Sequence, residues 1–401
     1  MQYINESYQT PCRGEYDIIV CGGGVAGVAA AVSAKRAGAG RVLLLEKSVL
    51  LGGLATIGLI AWYEPICDGN GKKLIYGMAS ELLQLTKKYG PSRYPSEWQN
   101  DPDSANTKKR YAGHYSPTFF SMALDHWVLD AGVELLFDTV VVQPVMQENV
   151  CHGVVVENKS GRGFYAAKVV IDTTGDLDIF HRAGAPTELG KNFLTYIGYR
   201  VDGSTLAGAT QSGNFIDARK WFSYGSDLWG NGHPANMPQV SGTTAEEVTD
   251  FVLTGRKGLL QKCMEDAPLS RDISLLPSMP QFRKTRRLCG AYTLTEQDKS
   301  AHFADSIGCV CDFAHPGELY ELPYRILYHP QYSNLFTAGR TVSSSGWAWD
   351  VTRVIPVAVL TGEAAGLAAA DVCDNGCAAK EVCVATLQQK LQQRGIHLHQ
   401  K

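Results

Sequence analysis

The chain has 401 residues, 45% of them hydrophobic and 19% charged, with 37 Lys and Arg against 40 Asp and Glu. That is long for one compact core and ordinary for an α/β enzyme domain with a second region built on or into it. A formal net charge of −3 gives no electrostatic basis for nucleic acid or an anionic membrane as main partner, and the composition excludes a coiled coil, a disordered tail and a small disulfide scaffold.

Residues 1–12 are polar, with no basic or apolar segment of the exported kind, and no apolar run looks long enough to span a bilayer. The 11 cysteines form no CxxC pair and suit reduced thiols in a cytoplasmic protein. Cys309-Val-Cys311 and Cys373…Cys377 match no zinc or iron–sulfur spacing, so they read as small buried hydrophobes and no metal is expected.

The first element, 17–21, is apolar and β-branched, a buried parallel strand. Gly22-Gly23-Gly24-Val25-Ala26-Gly27 follows at once, 28–37 is Ala-rich and helical, and Gly38 and Gly40 stop that helix. Residues 41–46 form a second apolar strand that ends on Glu46. Strand, G-x-G-x-x-G, helix, strand and acid in this register is the pattern of a dinucleotide site. Gly22 allows the tight turn, Gly24 lets backbone approach a diphosphate, and Gly27 allows close helix–strand packing. The helix N-terminus offers unpaired N–H groups and partial positive charge to the phosphates, and Glu46 would accept hydrogen bonds from a ribose.

Further along, Lys47 leads into a loop holding Gly52-Gly53, and 168–176 is an apolar strand ending in Thr173-Thr174-Gly175-Asp176. Residues 187–317 turn polar and aromatic, with Trp221, Tyr224, Trp229 and His233, and read as an inserted substrate or cap region. Thr295-Glu-Gln-Asp298 is a capping box. Residues 334–340 form a strand ending in Gly339-Arg340. Arg353 and Val354 precede a helix that opens on Pro356 and continues through an Ala/Gly face, and a last amphipathic helix covers 382–395.

The Gly52-Gly53 loop and the Thr-Gly-Asp strand end resemble those of the glutathione-reductase-like flavoenzymes. From 16 to 395 the chain is similar to the FAD-dependent oxidoreductase family. That similarity rests on Arg283-Lys284-Thr285-Arg286-Arg287-Leu288-Cys289-Gly290-Ala291-Tyr292-Thr293-Leu294 and on Leu322-Pro323-Tyr324-Arg325. The resemblance implies an α/β fold: a Rossmann-like FAD-binding domain with a parallel sheet, made of 1–186 and 318–401, plus an inserted α+β substrate or cap region at 187–317. It implies FAD as cofactor, with Gly22, Gly24, Ala26, Gly27, Glu46, Lys47, Gly52, Gly53, Val140, Thr174, Gly175, Asp176, Gly339, Arg340, Arg353 and Val354 on the cofactor side. His315, Arg286, Tyr324 and Arg325 are the catalytic candidates, and Arg325 has Glu321 as an alternative ion-pair partner. No second glycine loop marks a nicotinamide domain, so electrons are expected to pass through a small-molecule substrate and a separate partner, oxygen or a carrier. A homo-oligomer is compatible with all of this. Two rival readings are a dinucleotide-fold protein of thiazole-type cofactor biosynthesis and a flavin-binding sensor without turnover.

Overall fold

Residues 4–95 and 112–400 are described in the computed structural model. In β1 (Cys12–Cys21), Ile18 and Val20 enter one apolar cluster while Ile19 and Cys21 enter another, so the run is apolar throughout because both faces are covered. β2 (Val42–Leu45) divides in the same way, Val42 and Leu44 to one side and Leu43 and Leu45 to the other. α1 (Val25–Arg36) connects the two strands, which pair in parallel.

The seven-stranded sheet continues from β2 to β6 (Glu134–Leu136) on one side, and from β1 to β9 (Gly161–Asp172), β8 (Val150–Asn158) and β7 (Val140–Gln147) on the other. β17 (Leu335–Thr337) lies parallel to the last residues of β9, Val170 to Asp172, beyond the stretch that β8 occupies. The expected parallel sheet is therefore present, with β7, β8 and β9 joined antiparallel at one edge.

Smaller sheets surround it. β3 (Trp62–Tyr63), β5 (Gly113–Tyr115) and β4 (Ser92–Arg93) form one. Within 187–317, β10 (Thr187–Leu189) pairs with β14 (Arg286–Leu288), and β11 (Thr195–Asp202) lies between β12 (Lys220–Gly225) and β13 (Arg271–Leu275). β15 (Ser306–Cys311) and β16 (Leu319–Pro323) form an antiparallel pair that holds Cys309 and Cys311 buried.

The remaining helices among the described residues are α2 (Gly77–Tyr89), α3 (Pro117–Asp130), α4 (Asp178–Arg182), α5 (Gly203–Ser212), α6 (Ala245–Cys263), α7 (Gly346–Thr352), α8 (Ile355–Asn375) and α9 (Val384–Gln393). α8 corrects one expectation: its 21 residues are long and apolar enough to cross a membrane, yet 94% of its most apolar window is buried inside the protein. It is apolar all round because it lies against α1, α2, β9 and β17 together.

How α8 meets α1 decides where the site forms. A Cβ on Gly362 would overlap the carbonyl oxygen of Ala26, and one on Gly366 would overlap that of Ala30. Four residues on along both helices the contact repeats, so the two helices run parallel with backbones nearly touching. Gly362 lies seven residues into α8 and Ala26 only one residue into α1, so the N-terminus of α8 projects about 9 Å farther at 1.5 Å per residue.

Candidate functional site

Both helix N-termini open on one cavity of about 360 Å³, at the carboxyl ends of β1, β2, β9 and β17. It begins at the glycine loop. Gly22 has φ +112, a region L-residues avoid, and its N–H donates to Leu45 O at 2.8 Å, tying the turn between β1 and α1 to the end of β2. Thr173 locks the turn from β9, its Oγ1 donating to Gly22 O at 2.8 Å and Cys21 O at 3.0 Å. A Cβ on Gly27 would overlap Gly22 O, whereas a Cβ on Gly24 would meet nothing within 4 Å. The missing side chain at 27 is a packing necessity; at 24 it leaves room inside the cavity, beside the first-turn N–H groups of α1 that have no partner within the helix.

Glu46 forms one wall. Its Oε2 accepts from Gly23 N and its Oε1 from Ser48 N, each at 2.7 Å, so the carboxylate is fixed by two backbone donors while the residue still lines the cavity. Lys47, Ser48, Thr139, Val140 and Val141 complete that end. The Gly52-Gly53 loop is pinned to the glycine loop by Gly52 N donating to Gly23 O at 2.8 Å.

The other end is cationic. Arg340 lines the cavity but uses its guanidinium as a clamp, donating to Gly175 O at 2.5 Å, Asp176 Oδ1 at 3.0 Å and Phe282 O at 3.1 Å. Arg353 pairs with buried Asp350 at 2.9 Å, and Lys284 reaches the other oxygen of Asp350 at 2.6 Å. Arg283 stands close enough that burial first, and the charge of Arg353 second, push its guanidinium down to about 10. One carboxylate thus faces Arg353 and Lys284 with Arg283 alongside, at the mouth of α8, where the dipole adds positive potential. Asp172, buried beneath the floor, is pushed up to about 6 by burial, although Ile179 N at 2.8 Å and Phe180 N at 3.2 Å donate to it. It holds α4 in place and does not line the cavity.

Of the cofactor-side candidates, Gly22, Gly24, Ala26, Glu46, Lys47, Gly52, Gly53, Val140, Thr174, Gly175, Gly339, Arg340 and Arg353 line this cavity. Gly27, Asp176 and Val354 stand just behind it as the packing glycine, the partner of Arg340 and the N-cap of α8.

The catalytic candidates fare differently, because each finds a partner elsewhere. Arg286 is buried on β14 and donates to Asp176 O at 3.1 Å, with Asp178 at 4.0 Å, which braces the turn behind the cavity. Arg287 pairs with Glu188 across β10. Tyr324 is 1% exposed and its hydroxyl donates to Ala379 O at 2.6 Å, a role in packing. Arg325 pairs with Asp305 at 2.9 Å, not with Glu321, and covers the Tyr292 ring. His315 is half-exposed, its Nδ1 3.0 Å from the buried carboxylate of Asp312. Its ring meets Trp347 edge-on, Trp347 lies against Phe313, and Phe313 lies under Arg353, which joins His315 to the cavity through two rings. Trp229 stacks on Trp347 with centroids 5.2 Å apart.

Sequence reasoning missed Ser278, Met279, Asp350 and Asp312, and named Thr173 only within the Thr-Thr-Gly-Asp strand end. Ser278 and Met279 reach the cavity because Ser278 N donates to Ile57 O at 3.0 Å, a link between distant segments that carries no local signal. Asp350 could have been found as the acid three residues before Arg353, the ion-pair spacing of a helical turn.

Against known families, residues 17–254 and 228–391 match the model described as FAD dependent oxidoreductase. No curated protein sequence matches the chain. Among solved structures, p-nitrophenol 4-monooxygenase from Pseudomonas putida DLL-E4 is 14% identical, covers 92% of this chain and 82% of its own, and superposes with a TM-score of 0.50. A geranylgeranyl bacteriochlorophyll reductase-like protein from Thermoplasma acidophilum is also 14% identical, over 95% of this chain and 83% of its own, with a TM-score of 0.49. At 14% identity the likeness to the monooxygenase concerns the fold alone.

Proposed function

Because this chain belongs to the FAD dependent oxidoreductase family, enzymes whose cofactor is FAD, we propose that it moves a hydride between a small organic substrate and the flavin N5. The observation that carries this reading is the vacant Cβ space at Gly24, set between a carboxylate wall and two parallel helix N-termini in one cavity. When bound, FAD supplies a ring that accepts or returns a hydride.

The residues divide the remaining work. Gly24 and the first-turn N–H groups of α1 hold the diphosphate, and Glu46 accepts from the ribose and repels a 2′-phosphate. Lys47 and Val140 flank the adenosine end, while Thr174, Gly175, Gly339 and Arg340 line the path toward α8. The N-terminus of α8, entered through Val354, would offer N–H groups and positive potential to the ring end of the cofactor, favouring negative charge there. Arg353, which lines the cavity and is held in place by Asp350 with Lys284 on that acid's other oxygen, orients a carboxylate or other polar group of the substrate. Asp312 fixes Nδ1 of His315 and leaves Nε2 free to exchange a proton with a hydroxyl or amine approaching along Trp347. The second electron partner, oxygen or a carrier, is separate from this chain. The reading places the enzyme in the cytoplasm, without nucleic acid or membrane as partner.

The test is anaerobic mixing of the FAD-loaded protein with panels of small hydroxy, amino and carboxylate compounds, followed by the visible flavin absorbance. Bleaching by members of one class, slowed about tenfold or more in His315→Gln, is the expected result. Indifference to every class, together with no turnover against an artificial acceptor, would leave a binding protein instead.

Glu46→Arg makes an independent check on the cofactor end. The substitution removes the acceptor of two backbone donors and sets a cation beside the α1 N-terminus, so FAD affinity should fall about 10- to 100-fold. Fluorescence titration with FAD reads this directly, with circular dichroism to confirm folding. Undiminished affinity in a folded variant would mean that the loop serves another purpose.

A further inference from the structure

Away from the cavity, on the β15–β16 pair, three side chains converge that the oxidoreductase reading leaves unused. Glu321 on β16 is 2% exposed, and its Oε2 lies 2.9 Å from Nδ1 of His399 and 3.2 Å from Nδ1 of His302. The two imidazole centroids are 4.6 Å apart, and the three ligating atoms all lie within 4.8 Å of one another. We propose that these residues bind a divalent cation of borderline softness, with Zn²⁺ as the type, through two imidazole nitrogens and one carboxylate oxygen, water completing the shell.

Three observations carry the assignment. The donor set is one that zinc and its neighbours favour, and a tetrahedron with arms of about 2.0–2.1 Å has edges of about 3.3 Å, close to the two nitrogen–oxygen separations. The carboxylate is already oriented from behind: Phe303 N donates to Oε2 at 2.8 Å and Gln400 N to Oε1 at 3.1 Å, the outer hydrogen bonding that a ligating carboxylate needs. Among the described residues no Lys or Arg nitrogen stands within ion-pair distance of Glu321, since Arg325 pairs with Asp305 instead. A carboxylate this deeply buried is costly without a cation, and a metal ion between the two imidazoles supplies one. The imidazoles remain reachable, with side-chain exposures of 69% for His302 and 38% for His399.

The three ligands come from separate stretches of chain, so the ion would act as a clasp. It ties the segment after α9 to β16 and to the loop before β15. That segment already runs along β15, with Cys309 N donating to His397 O at 2.7 Å and Ser306 Oγ to Leu398 O at 2.6 Å. A cation at its far end closes the same attachment.

The full-length protein, stripped with chelator and dialysed, would be titrated with ZnCl₂ by calorimetry alongside His302→Ala/His399→Ala and the milder His399→Gln. The wild type should take up one equivalent that the double variant lacks, with affinity reduced about tenfold or more in His399→Gln and FAD content equal in all three. Co²⁺ in place of Zn²⁺ should give visible d–d bands without thiolate charge-transfer absorption. Equal uptake by wild type and the folded variants, thiolate bands in the cobalt spectrum, or no uptake at micromolar metal would each overturn the proposal. In the last case the cluster is a pair of histidine–carboxylate hydrogen bonds only.

Discussion

Gly24→Val is expected to yield a folded protein that purifies colourless and takes up FAD at least about 100-fold more weakly than the wild type. The backbone at Gly24 is extended, φ −66 and ψ 174, which valine adopts without strain, and no atom stands within 4 Å of the added Cβ. The expected structural loss is a poorer residue at the head of α1, worth about 1 kcal/mol and a few degrees in Tm. The isopropyl group would fill the approach to the first-turn N–H groups, where the diphosphate must come close enough to accept from backbone. Flavin absorbance of the purified protein, fluorescence titration and a thermal melt check the three parts separately. A variant that keeps its colour and its affinity would take the cofactor out of this cavity. Gly27→Val is the internal contrast. Its Cβ would overlap Gly22 O, so the loop itself cannot close, and soluble folded protein should be lost along with FAD.

The second large effect belongs to the helix pair. Gly362→Val would force a side chain into the Ala26 carbonyl, and no rotamer avoids the overlap because the Cβ position is set by backbone. α8 must then lift from α1 along the whole contact, opening the buried seam that also holds Gly366 against Ala30. Overpacking of this kind costs about 1–3 kcal/mol even where neighbours can adjust, and backbone on both sides places this position at or above the upper end. The urea midpoint should fall accordingly, and FAD affinity with it, because the α8 N-terminus moves relative to that of α1. Gly208→Ala in α5, where a Cβ meets nothing within 4 Å, serves as control and should gain about 0.5–1 kcal/mol from helix propensity. Equal midpoints for Gly362→Val and the wild type would show that the helices are not held by backbone contact.

The cofactor end was legible because its chemistry is local. Gly22, Gly24 and Gly27 are glycines for reasons of turn conformation, ligand space and helix packing that act within a few residues, and Glu46 follows at the end of the next strand. The strand β1 begins at Cys12, earlier than the run from Asp17, because its first residues pair with β9 over a largely exposed stretch that lacks an apolar pattern. The catalytic candidates were not legible in the same way. Charge and family position made Arg286, Tyr324 and Arg325 look available, but availability depends on which partner lies opposite after folding. Asp176, Ala379 and Asp305 take those roles from elsewhere in the chain.

By itself, then, the amino-acid order determined the α/β core, the glycine turn, the acid wall and the positions of the two helix starts, since each depends on backbone conformation and periodic burial over short spans. Only the tertiary structure decided that Gly362 lies on Ala26 so that both helix ends open on one cavity. It also decided that Asp350 gathers Lys284 and Arg353, and that Glu321 meets His302 and His399 rather than Arg325. Those pairings rest on which groups burial brings face to face, and a charged or polar side chain carries no local mark of the partner it will find.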